Sequence, residues 1–168
     1  MHPLVLALFD QPASAGAAAR GLRSLGIARE RVSVVARSHD EEGRLAEAAG
    51  ASPGSEIEDS RTASQLGELS AHLLAAIALV VPGVGPIVAD GPLAAGLGEA
   101  AGHVAGGIAR ALHRAGVDRD EADRWQQRIE AGAVLIGAHV DQGTVNAARD
   151  IFVRNGAASI AEATWDDE

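Results

Sequence analysis

Pro3-Leu4-Val5-Leu6-Ala7-Leu8-Phe9-Asp10 lies near one end of the chain, and Ala133-Val134-Leu135-Ile136-Gly137-Ala138-His139-Val140-Asp141 lies near the other. Each is a short apolar run closed by an acid, the signature of a buried strand. Each is followed by a helix. After Asp10-Gln11-Pro12, Ala13 to Leu25 places Ala18, Leu22 and Leu25 at helical spacing, and Gly26 stops it as a C′ residue. After Asp141-Gln142, Thr144 to Arg154 reads as a helix ended by Asn155-Gly156. A strand completes each unit: β-branched Arg31–Arg37 (RVSVVAR) in the first, Ala157–Ala163 in the second. Gly26 follows Asp10 at nearly the interval at which Gly156 follows Asp141. Two such halves predict an α+β, ferredoxin-like sandwich of four antiparallel strands with two helices on one face.

Residues 1–37 form the first half and 132–168 the second, with an acidic tail. Between them, residues 38–61 read as a polar linker with a short helix. Residues 62–131 read as an inserted helical hairpin with a connecting helix, all within one structural domain. Thr62 to Val81 is expected as one helix, apolar on every side after His72 and broken by Pro82-Gly83-Val84-Gly85-Pro86. Asp90-Gly91-Pro92 starts a second, which Gly116 ends; Pro92 suits its first turn. Asp118-Arg119-Asp120-Glu121 is a capping box for a third, carrying Trp125 and Ile129.

The second hairpin helix aligns Gly98, Gly102 and Gly106 on one face, where a neighbouring backbone can approach closely. Each glycine costs about 0.5–1 kcal/mol relative to alanine inside a helix, so three together call for a packing partner. The sheet of the same chain, a second copy of the chain, or lipid could cover this surface. A homo-oligomer is the favoured expectation, with Leu73, Leu74, Ile77, Gly98, Gly102 and Gly106 at the interface. Membrane contact is the least favoured, because Asp90, Glu99 and Arg110 are costly in hydrocarbon.

The stretch Ile77-Ala78-Leu79-Val80-Val81-Pro82-Gly83-Val84-Gly85-Pro86-Ile87-Val88-Ala89-Asp90-Gly91-Pro92-Leu93-Ala94-Ala95 resembles the core of bacterial heat-induced general stress proteins, the YflT-like family. PGVGP with DGPLAA is the most specific part of the likeness. RVSVVAR before it, and Trp125 and Glu130 through Val140 after it, extend the likeness over most of the chain. The resemblance implies a stress-response role without an agreed enzymatic activity, so no catalytic residue is carried over. Glu68, His72, Glu99 and His103 stand where that family has small apolar residues.

Those four residues are the one candidate constellation. Glu68-x3-His72 and Glu99-x3-His103 each set a carboxylate and an imidazole on one helical face, a donor set for iron, manganese or zinc. Carboxylate-bridged dimetal bundles use Glu-x2-His instead, so the plainer reading is two intrahelical Glu–His pairs and no cofactor. His139 is expected as an exposed strand residue, and His113 sits where a helix C-terminus favours positive charge. Ser33, Ser38 and Ser159 lack a nucleophile-elbow context. Gly83-Val84-Gly85 lacks the rest of a dinucleotide fingerprint.

Composition narrows the function further. The chain has 168 residues, a net charge of −9 and 2% aromatic residues, which disfavours nucleic acid as a partner. It has no cysteine, and all its basic side chains are arginine, which removes thiol and lysine-amine chemistry. The first apolar run lacks a basic flank, and Leu73–Val81 is too short to span a bilayer, so a cytoplasmic location is expected. The sequence therefore predicts a non-enzymatic stress-response protein that self-associates, with metal binding and membrane-surface attachment as alternatives.

Overall fold

Leu4 to Phe9 have zero exposure, so this strand has apolar cover on both faces and strands on both sides. That explains its unbroken apolar run: a strand buried on both faces has no polar side to alternate with. The computed structural model describes residues 1–37, 77–81, 85–93 and 107–166. Within them the elements run β1 (His2–Phe9), α1 (Pro12–Ser24), β2 (Val32–Arg37), β3 (Ile77–Val81) and β4 (Gly85–Asp90). They continue with α2 (Gly107–Arg114), α3 (Arg119–Glu130), β5 (Val134–His139), α4 (Val145–Arg154) and β6 (Ser159–Trp165). The fold is α+β.

The six strands form one antiparallel sheet in the order β3-β4-β2-β5-β1-β6. β5 inserts between β1 and β2, and β1 inserts between β5 and β6, so the two β-α-β units interlock. Both of their helices lie on one face. There Ala15, Ala18 and Leu22 of α1 and Val145, Ala148 and Phe152 of α4 pack on Val5, Ala7, Phe9, Val34 and Ile136. Phe9 and Phe152 meet edge to face at 5.9 Å. Leu22 and Phe152 carbonyls each accept a closing bond, from the Ile27 and Ala157 amides, as the chain turns out through Gly26 and Gly156.

The opposite face carries Leu4, Leu6, Leu8, Val35 and Leu135, covered by Ile108 and Leu112 of α2 and by Trp125 and Ile129 of α3. The C-terminal part of the insertion therefore covers the sheet of its own chain. The Asp118 side chain caps α3 by accepting from the Asp120 and Glu121 amides at 3.0 and 3.3 Å. The two acids that close the apolar runs act alike: Asp10 pairs with Arg128, and Asp141 pairs with Arg31 at 3.3 Å.

One expectation is corrected here. The helix read over Thr62–Val81 does not extend through Ile77–Val81, and the apolar helical hairpin expected within residues 62–131 is not what Ile77–Asp90 form. These residues make two antiparallel strands, with Leu79 opposite Ile87 and Val81 opposite Gly85; Arg37 of β2 in turn stands opposite Ile87. The physical reason lies in the side chains. Ile77, Val80, Val81, Ile87 and Val88 are β-branched and stiff at χ1, which favours a pleated strand, and β2 offers them a sheet edge to join. The Gly-rich segment containing Gly98, Gly102 and Gly106, and the polar linker at 38–61, lie outside the described residues.

Candidate functional site

Among the described residues, only two polar side chains are fully buried, Ser33 and His139, at 0% and 1% exposure. They touch. The Ser33 hydroxyl and His139 Nε2 are 2.9 Å apart, and His139 Nδ1 lies 2.9 Å from His2 Nε2. Three strands supply this line of polar atoms: β2 gives Ser33, β5 gives His139 and β1 gives His2. Ser33, His139 and His2 share the face that carries Val35, Leu135 and Leu4, because side chains two apart on a strand point the same way.

The neighbours fix both ends. Ser33 Oγ accepts a hydrogen bond from the Leu93 amide at 3.1 Å, where the chain turns from β4. That approach depends on Gly91, which has φ +80 and whose Cβ, if it had one, would lie 2.4 Å from the Val32 carbonyl oxygen. Gly137 leaves room for Leu93 in the same way: a Cβ there would meet Leu6 and Leu93 methyls at 3.2 Å. The His139 ring meets His2 and Trp165 edge to face, with centroids at 5.1 and 5.5 Å. His2 also lines a cleft of about 470 Å³ with Gln142, Glu162 and Thr164.

The arrangement links a buried hydroxyl to a half-buried imidazole through a second imidazole, so protons can shift along it. It does not make Ser33 a nucleophile: the oxygen is fully enclosed and already accepts from a backbone amide. The expectation for His139 is corrected accordingly. It is an interior residue, because α2, α3 and the turn at Leu93 cover a sheet face that a four-stranded sandwich leaves open.

The metal candidates Glu68, His72, Glu99 and His103 lie outside the described residues, as do Leu73, Leu74, Gly98, Gly102 and Gly106. Ile77 lies on β3, opposite Ala89. His113 stands in the last turn of α2 with its Nδ1 3.0 Å from the Val117 carbonyl, which fits its expected place at a helix end. No group of three or more metal-ligating side chains occurs among the described residues, and no described helix is long and apolar enough to cross a membrane. The sequence offered one missed signal for the polar line. Ser33, Gly137 and His139 interrupt otherwise apolar strands, and a small or polar residue inside a doubly buried strand requires a partner.

The chain matches no protein-family model, no curated protein and no solved structure.

Proposed function

We propose that the chain is a non-enzymatic stress-response protein that self-associates, and that copies meet along the β3 edge of the sheet. The observation that carries this reading is that, among the described residues, Ile77-Ala78-Leu79-Val80-Val81 is an edge strand of a sheet whose central strands are covered on both faces. Helices already occupy both faces, so a second copy can extend the sheet only sideways. Proteins that avoid edge pairing place charge or proline on the edge strand, and β3 has neither. The other edge is blunted: β6 carries Glu162, paired with Arg149 at 2.9 Å. Ile77 keeps its proposed interface role, as part of a strand edge rather than a helix.

The strand order β2-β5-β1-β6, with α1 and α4 on one face, supports a ferredoxin-like reading of the outer frame. PGVGP and DGPLAA support the proposed likeness to general stress proteins.

Light scattering of wild type, Leu79→Pro and Val80→Pro tests the assembly surface. Of two adjacent residues on an edge strand, one amide faces the neighbouring strand and the other faces away. One proline should therefore reduce the mass to that of the monomer while leaving thermal stability nearly unchanged. A monomeric wild type, or an assembly that survives both substitutions, refutes the reading. A variant with Gly98, Gly102 and Gly106 replaced by leucine separates the glycine segment from the edge as the contact.

A further inference from the structure

We propose that copies of this chain join in pairs only, by antiparallel pairing of β3 with β3 of a second copy across a two-fold axis at Leu79. The proposal rests on the reading of the β3 edge as the assembly surface, and adds to it a register and a limit of two. With β3 at one end of the sheet and β6 at the other, strand edges of identical chains can meet as β3 on β3, β6 on β6 or β3 on β6. The first two are two-fold contacts and close. The third is head to tail and extends without end.

β6 is locked against both of the contacts that need it. Its Thr164 amide donates to the Ala115 carbonyl at 2.9 Å, so the chain that joins α2 to α3 occupies the outer side of this strand. The pairing on the inner side agrees. Thr164 stands opposite Pro3, which has no amide to exchange with it, so the Thr164 amide points away from β1. Two residues back, Glu162 sets its ion pair with Arg149 beside the same edge. An arriving strand would have to displace the Ala115 link. Among the described residues, no backbone bond of this kind crosses the outer side of β3.

The register follows from symmetry. A two-fold makes pairing reciprocal, so whatever stands opposite a residue is opposed by it in turn. Only one reciprocal register gives all five residues of Ile77–Val81 a partner within the strand. It sets Leu79 opposite Leu79 of the second copy, Ala78 opposite Val80, and Ile77 opposite Val81. A slip toward the turn brings Pro82, which has no amide, into the ladder. Joined in this register, two six-stranded sheets become one, and both of its remaining ends are the locked β6. Growth stops there.

The chain has no cysteine, so introduced ones report on this contact alone. Residues directly opposite in an antiparallel pair have Cα atoms about 4.5–5.5 Å apart, within disulfide reach. Residue 78 and its own counterpart are offset by two positions, about 8 Å, and lie beyond it. Under mild oxidation Leu79→Cys should form a covalent dimer at least about tenfold faster than Ala78→Cys or Val80→Cys alone. Those two, co-expressed, should crosslink to each other, which keeps the test decisive if Leu79→Cys folds poorly. Sedimentation of wild type should show a species of twice the chain mass and none larger. A wild type that grows beyond the dimer with concentration overturns the closure, while the edge reading stands if the edge prolines still break the assembly. A dimer in which Leu79→Cys crosslinks no faster than its neighbours, and the co-expressed pair does not crosslink, overturns the register. A monomeric wild type removes the edge reading itself, and this proposal with it.

Discussion

Gly91→Ala is the most informative single substitution, because its cost can be worked out from two separate causes. At φ +80 an alanine enters the left-handed region, which costs about 1–2 kcal/mol for a residue with a Cβ. The added methyl would also lie 2.4 Å from the Val32 carbonyl oxygen, 2.7 Å from Ser33 Cα and 2.9 Å from Ser33 Oγ. Two of these three atoms are backbone of β2, so relief requires moving a strand or lifting the Leu93 amide off Ser33. Overpacking of this kind typically costs a further ~1–3 kcal/mol. Gly156→Ala is the matched control. It has φ +76 but nothing within 4 Å of the new Cβ, so it carries only the first cost. Urea denaturation followed by circular dichroism should show Gly91→Ala losing about 2–5 kcal/mol and Gly156→Ala about 1–2, with equal m-values. Equal losses for the two variants would refute the close approach of residues 91–93 to β2, and with it the enclosure of Ser33.

Four further outcomes follow from the same contacts. Ser33→Ala leaves the Leu93 amide and a His139 nitrogen without this partner and should cost about 1–3 kcal/mol in urea melts. Trp125→Ala opens the core under α2 and α3, where the indole is 2% exposed; a loss of about 3–5 kcal/mol and of the blue-shifted part of the tryptophan emission is expected. Asp118→Ala removes the α3 cap and should cost about 1 kcal/mol, most of it recovered by Asp118→Ser. Arg149→Ala breaks an exposed pair with Glu162 and should change stability by less than about 1 kcal/mol, with little left at high salt.

The frame of the molecule was legible because its strands are continuous apolar runs and its first and last helices end in glycine. Leu4–Phe9 and Val134–Ala138 announced themselves by composition, and Gly26 and Gly156 marked where the helices stop. The same runs carry a further requirement: a strand without polar alternation requires cover on both faces, and here α2 and α3 supply the second cover. Strand alternation alone does not tell whether His139 faces solvent or this second cover. Ile77–Asp90 misled for a different reason. A run of about five apolar residues is compatible with strand or buried helix, and a Pro-Gly break serves either as a helix stop or as a strand turn. The density of Ile and Val was the available clue, and the partner strand that decides the matter comes from far along the chain. The hydrogen-bonded line from Ser33 to His2 depends on the register of three strands at once, which no local pattern encodes.

β1 sits between β5 and β6, and its partners begin only at Val134 and Ser159. On the ribosome this strand, all grease from Leu4 to Phe9, emerges well ahead of its neighbours and must wait for the chain through Ser159–Trp165 before both exist. Until those strands have been made, the nascent chain offers chaperones an obvious handle.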